Sequence, residues 1–179
     1  MDSPGAVAVL DKDNRLKPTW RLSEAMLKAG TMAPSVESVD QDGNPFRLAD
    51  LRGQWVVLYF YPADETYGCT REACAFRDNL SELSKEGAVV VGVSVQDEHS
   101  HLRFAQHHGL TFKLVADSGK RVTRAYDVLG ILGVAKRVTY LIDPEGKIRD
   151  VYRSETRPES HVAYVRNRLQ QLRHDRPAT

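Results

Sequence analysis

Both cysteines of this 179-residue chain lie in one short stretch, Tyr61-Pro62-Ala63-Asp64-Glu65-Thr66-Tyr67-Gly68-Cys69-Thr70-Arg71-Glu72-Ala73-Cys74. The run before it, Trp55-Val56-Val57-Leu58-Tyr59-Phe60, is β-branched and aromatic and is bounded by Gly53 and Pro62, the pattern of a buried strand. After it, Ala73, Phe76, Leu80 and Leu83 recur at spacings of three and four, which predicts one helix with an apolar stripe, running to about Glu86 and capped by Gly87. Cys69 therefore falls where a buried strand delivers the chain into the first turn of a helix. Unpaired N–H groups and the helix dipole favour an anion there, and the thiolate, not the thiol, is the nucleophile. Cys74, five residues on, is rotated by roughly 140° on an ideal helix and leaves the apolar stripe, so it is a candidate second thiol. The bland alternative makes both cysteines small buried hydrophobes. A dithiol oxidoreductase would carry Cys-x-x-Cys, which the Cys-x-x-x-x-Cys spacing does not match.

The length suits one catalytic core and is short for two domains of ordinary size. With 25 basic and 24 acidic residues the net charge is +1, so bulk electrostatics point neither to nucleic acid nor to an acidic membrane. No apolar run approaches a membrane span, and Met1 to Arg15 carries charges where a secretory signal needs its apolar stretch. The expected compartment is the cytosol, where two cysteines favour catalysis or metal binding over a structural disulfide. A metal-binding chaperone would recruit His99, His101, His107 and His108. These fall in a polar helical stretch, read as a solvated face without zinc-ligand spacing, and no metal or cofactor is expected. The basic tail, Arg166, Arg168, Arg173 and Arg176, suits a helix C-terminus without any acidic partner.

The elements that must position the cysteines alternate. After an extension over residues 1–25, Ser23 can cap a short helix ending at Gly30, and Gln41-Asp42-Gly43-Asn44 is a turn joining two short strands, an N-terminal β-hairpin. The strand from Trp55, the cysteine helix and the strand Ala88 to Val95 make a βαβ unit. A helix from about Ser100 to His108 leads to a strand from Phe112 to Val115, and Asp117 or Ser118 can cap a further helix through Tyr126. Val138 to Ile142 and Lys147 to Tyr152 form a hairpin across Asp143-Pro144-Glu145-Gly146. Thr156 with Glu159 predicts a capping box for a last helix striped by Val162, Val165, Leu169 and Leu172. This order is that of an α/β thioredoxin-like fold: a central mixed β-sheet flanked by helices, in one domain over residues 26–179.

Pro62-x-x-x-Thr66-x-x-Cys69 resembles the active-site signature of the peroxiredoxins. Tyr59-Phe60-Tyr61-Pro62 and Gly68-Cys69-Thr70-x-x-x-Cys74 are similar to the bacterioferritin-comigratory-protein, or Q-type, branch. The likeness extends from about Met26 to Leu172 through Ala33-Pro34, Leu51-Arg52-Gly53, Ala116-Asp117-Ser118 and Arg137-Val138-Thr139-Tyr140. One residue departs from the pattern: Tyr67 stands where the family usually has proline.

The resemblance implies a thiol peroxidase of hydrogen peroxide and organic hydroperoxides, in which Cys69 attacks the O–O bond and becomes a sulfenic acid. Arg137 is implied as the cation that steadies the thiolate and the leaving oxygen. Thr66 can offer its hydroxyl to the sulfur or the peroxide, with a helix N-cap as its ordinary role. Pro62 ends the strand and shields the pocket without offering a donor. The branch further implies that Cys74 resolves the sulfenic acid as an intramolecular disulfide, reduced by thioredoxin or a similar dithiol protein, in a monomer. A one-cysteine cycle using an external thiol and a non-enzymatic holdase are the competing readings.

Overall fold

The computed structural model describes residues 9–10, 16–17 and 26–175. Two short strands, β1 (Val9–Leu10) and β2 (Leu16–Lys17), pair antiparallel. The hairpin of β3 (Glu37–Asp40) and β4 (Pro45–Arg47) turns on Gly43, whose φ of 77° suits glycine. Asp40 accepts from the N–H groups of Asp42 and Asn44 and so closes that turn. Next come β5 (Trp55–Phe60), α1 (Tyr67–Asp78), α2 (Leu80–Lys85), β6 (Ala88–Ser94), α3 (Glu98–His108) and β7 (Lys113–Ala116). The chain continues through α4 (Arg121–Ala125), β8 (Val138–Ile142), β9 (Ile148–Arg153) and α5 (Ser160–His174).

Seven strands form one mixed sheet in the order β4-β3-β7-β6-β5-β8-β9, with β5, β6 and β7 parallel and the other pairings antiparallel. All six residues of β5 are buried, because helices or loops cover both faces of the central strands. On one face Tyr59, Tyr61, Ala73, Phe76, Leu83, Phe104, Val165 and Leu169 pack with Cys69. On the other, Phe60, Tyr126, Val138 and Tyr140 pack with Val36, Phe46 and Leu48. This is the thioredoxin-like arrangement, and it leaves the C-terminal end of the central strand β5 pointing at the start of α1.

The structure corrects several expectations. The cysteine helix is two helices: Asn79 turns its side-chain amide back to donate to the Ala75 carbonyl at 2.8 Å, a local bond that competes with helix continuation. Ser23 lies outside the described residues, and Met26 to Lys28 are not helical. The capping box on Thr156 does not form. The last helix begins at Ser160, just after Pro158, and Glu159 pairs with Arg71 of α1 instead. The N-cap position of α4 is Lys120, not Asp117 or Ser118, but the Asp117 carboxylate reaches over it to accept from the N–H groups of Val122 and Thr123 at 3.1 and 2.8 Å. The histidines of α3 are not one solvated face: His101 is fully buried, whereas His99 and His107 are exposed. The tail arginines pair within the fold, Arg166 with Glu82, Arg168 with Asp150 and Arg173 with Glu86, while Arg176 lies outside the described residues. Among the described residues no helix is long and apolar enough to cross a membrane.

Candidate active site

Strand β5 ends at Phe60, and a loop from Tyr61 to Thr66 carries the chain into α1. This loop is tied through Asp64 to the segment that ends β6 and begins α3. The buried Asp64 carboxylate takes Tyr61 Oη, Ser100 Oγ and His101 Nδ1, each at 2.7 Å, and the Asp64 N–H donates to Gln96. Burial works to raise the Asp64 carboxyl; the His101, Tyr61 and Ser100 contacts outweigh it and hold the group below its ordinary range. Pro62 is half-buried in this loop. Having no N–H, it adds no donor where the chain leaves the sheet.

Cys69 is the third residue of α1 and is 1% exposed. Arg137, 5% exposed and immediately before β8, donates through Nη2 to Cys69 Sγ at 3.4 Å. Its Nη1 is held by Glu72 Oε2, one turn along the same helix, so a single buried guanidinium bridges the sulfur and the carboxylate. Burial pushes the Glu72 carboxyl up to about 8, with Arg137 pulling the other way. Gly68 sits close under this contact: a Cβ there would stand 3.0 Å from Arg137 Nη2 and press on the guanidinium.

Beneath Glu72 lies His161, fully buried, with Nδ1 3.6 Å from Glu72 Oε1. His161 Nε2 meets the Ser154 carbonyl at 3.1 Å and Nδ1 meets Thr139 Oγ1 at 2.7 Å. A carbonyl only accepts, so Nε2 carries the proton and Nδ1 accepts from Thr139. Burial lowers the His161 pKa to about 4, which keeps this ring neutral.

Thr66 occupies the N-cap position of α1, but its side chain makes no cap bond: its hydroxyl donates to the Ala63 carbonyl at 2.9 Å. Thr66 is exposed, so its hydroxyl can turn toward an incoming oxygen. Cys74 is half-buried and also lies within α1; both thiols are free. The structure brings Arg137 onto Cys69, places Thr66 at the N-cap of α1 and Pro62 in the loop before it, and sets Cys74 more than a turn further along the same helix. The sequence reading missed Glu72, Gly68, Thr139 and His161. Glu72 was detectable: it lies three residues after Cys69, beside Ala73 on the inward face of the helix. His161 leaves no such trace, since it comes from the opposite end of the chain.

The AhpC/TSA family model matches residues 29–151. The chain belongs to that family. It is 41% identical over 150 residues to "Peroxiredoxin Q, chloroplastic" of Suaeda salsa, covering 83% of this chain and 70% of that protein. Against the chloroplastic peroxiredoxin Q of Sedum lineare it is 40% identical over 153 residues, covering 83% and 81%. Among solved structures, peroxidoxin BcpB of Mycobacterium tuberculosis superposes with a TM-score of 0.77 at 35% identity, covering 82% of this chain and 98% of that one. The bacterioferritin comigratory protein of Xanthomonas campestris, solved in a study of its alkyl peroxide reduction activity, gives 0.75 at 31%, covering 81% and 99%. The chain is thus a peroxiredoxin of the Q-type branch and a thiol-dependent peroxidase.

Proposed function

We propose that Cys69 is the peroxidatic nucleophile, and that Arg137 is the cation facing both its sulfur and the oxygen it displaces. The 3.4 Å contact between Arg137 Nη2 and Cys69 Sγ carries this reading. The thiolate attacks one oxygen of the hydroperoxide, the S–O bond forms as the O–O bond breaks, and the departing alkoxide or hydroxide takes a proton to leave as alcohol or water. Negative charge moves from sulfur to oxygen, and a fixed guanidinium can follow it without reorganising. Thr66 supplies the rotatable hydroxyl that precedes the nucleophile at the helix start, and Pro62 closes the pocket.

Cys74 then attacks the sulfenic acid, giving the Cys69–Cys74 disulfide and water, and a thioredoxin-like dithiol exchanges with that bond to restore both thiols. Two cysteines on one helix support an intramolecular cycle that needs no second copy of the chain. The substrates are hydrogen peroxide and organic hydroperoxides, the latter supported by the alkyl peroxide reduction attributed to the Xanthomonas relative. A domain spanning residues 26–179, acting in the cytosol, accommodates the whole cycle.

Oxidation of the reduced Cys74→Ser chain with one equivalent of peroxide, in the presence of a sulfenic-acid trap, tests the assignment. The trap should add to Cys69 alone. Peroxide consumed at the wild-type rate with no label on Cys69 would place the nucleophile elsewhere.

A further inference from the structure

Glu65 is the residue just before Thr66, and its backbone sits at a φ of 59°, in the left-handed region. Its carboxylate lies between two consecutive histidines of α3: His107 Nδ1 is 3.1 Å from Oε1 and His108 Nε2 is 2.9 Å from Oε2. One ligand-type atom from each of the three residues falls within 4.8 Å of the others. Tetrahedral zinc, with bonds of about 2.0–2.2 Å, sets neighbouring ligand atoms roughly 3.3 Å apart, so the two histidine–carboxylate pairs are already near that spacing and the two nitrogens lie within 4.8 Å of each other.

Consecutive side chains on a helix diverge by about 100° and do not ordinarily share a target. Here the two rings lie 4.3 Å apart at 32° to one another. They occupy the last turn of the eleven-residue α3, which ends at Gly109 in the left-handed conformation. The negative end of the helix dipole and the Glu65 carboxylate both favour a cation there. The nearby cation Arg77 donates to the His108 carbonyl at 2.6 Å, and its charge is paired with Asp78. The apolar core has no use for His107, whose side chain is 69% exposed.

We propose that Glu65, His107 and His108 form a binding site for a divalent transition-metal ion of the zinc class. Water completes its coordination, and the bound ion ties the loop before the nucleophile to the end of α3. Two imidazole nitrogens and one carboxylate suit zinc and its neighbours; calcium and magnesium prefer oxygen alone. On binding, His107 Nδ1 and His108 Nε2 present lone pairs and each ring keeps its proton on its other nitrogen. The cysteines take no part, which separates this site from a cysteine–histidine cluster. Its bearing on catalysis rests on the cycle proposed above: Glu65 lies four residues before Cys69, so a metal there opposes any opening of the helix start.

The test uses the untagged full-length chain carrying Cys69→Ser and Cys74→Ser, so that no thiolate can bind the probe and peroxidase activity plays no part. Zinc titration by calorimetry should show one ion per chain, with affinity lowered at least tenfold by His107→Ala and, separately, by the near-isosteric Glu65→Gln. Zinc should also raise hydrogen-exchange protection over residues 64–70 in the parent and not in the His107→Ala variant. Absence of zinc binding, or binding that neither substitution weakens, overturns the site. Binding lost on substitution without any zinc-dependent protection overturns the tie between the loop and α3.

Discussion

Arg137 reaches Cys69 across 68 positions of sequence, and it does so with the same guanidinium that Glu72 holds from the next turn of the helix. Cys69, the proposed nucleophile, and Glu72, which holds the facing guanidinium, are therefore three residues apart on one face of α1, while Arg137 itself comes from the loop before β8. Arg137→Ala should slow the oxidation of Cys69 by about 10²–10³, the usual cost of losing a preorganised donor. Arg137→Lys should recover little of it, because a single ammonium cannot reach the sulfur and Glu72 together. Stopped-flow measurement of the first oxidation checks both. A rate in Arg137→Ala within threefold of wild type would remove Arg137 from the chemistry.

Gly68 separates position from stability. An added Cβ would stand 3.0 Å from Arg137 Nη2 and force the guanidinium to shift by a few tenths of an ångström. Alanine is a better helix former than glycine by up to about 1 kcal/mol. Gly68→Ala should accordingly raise the unfolding midpoint slightly while slowing Cys69 oxidation roughly tenfold, a barrier change of about 1.4 kcal/mol. Urea denaturation and peroxide kinetics on the same preparation give the two readings, and equal rates would show that the guanidinium adapts.

His161 predicts a pH dependence of stability. Its pKa is lowered from 6.5 to about 4 by burial, so the neutral ring is favoured in the folded state. A depressed folded pKa gives stability that is present above about 6.5 and is lost as pH falls through 4. Glu72, raised by burial to about 8, acts in the opposite direction: its contribution is full below 4.5 and is lost as pH rises through 8. The two slopes oppose each other between pH 4.5 and 6.5, so the informative quantity is the stability of wild type minus that of His161→Gln. That difference should shrink by about 3 kcal/mol between pH 7 and pH 4. A difference independent of pH would mean that His161 is not held neutral.

The sequence made the strand, the helix start and the two-cysteine spacing legible, because hydrophobic periodicity and cap residues are local signals. The break at Asn79 was hidden, since the apolar stripe Ala73, Phe76, Leu80 and Leu83 continues through it. At the break Asn79 leaves the helical backbone conformation, with φ −105° and ψ 5°, while its side chain bonds back to the Ala75 carbonyl. At the last helix the local signal points the wrong way: Thr156 and Glu159 have capping-box spacing, but the helix starts one residue beyond Glu159, after Pro158, and Glu159 pairs with Arg71. His101 looked solvated because its neighbours in sequence are polar. Its burial comes from Asp64 and the Val115 carbonyl, contacts that no helical period records.

Tyr67 is the first residue of α1 and is 78% exposed, with Arg71 stacked over its ring at 5.2 Å. Proline suits that first helical position. The preceding Thr66 already has φ −76° and ψ 150°, the extended conformation a residue before proline adopts. Tyr67→Pro should therefore fold, gain about 0.4–1 kcal/mol, and slow disulfide closure more than the first oxidation. Single-turnover kinetics resolve the two phases. A slowed oxidation with unchanged closure would reverse the expectation.

Cys69 and Cys74 share the continuous helix Tyr67–Asp78. Five residues along an ideal helix place their Cα atoms about 8 to 9 Å apart, beyond the roughly 7 Å a disulfide spans. Closure must open the first turns of α1, and helix ends are where opening costs least. Hydrogen exchange over residues 70–77 should be faster in the disulfide form than in the reduced form. Equal protection, with the intramolecular bond confirmed by mass spectrometry, would refute the opening.

The most direct measurement is steady-state peroxide consumption, coupled to thioredoxin and its reductase, by the wild type, Cys69→Ser and Cys74→Ser. Cys69→Ser should consume no peroxide above background. Cys74→Ser should be oxidised once at the wild-type rate and then stall with this reductant. Undiminished turnover in Cys69→Ser would contradict the assignment of Cys69 as the nucleophile.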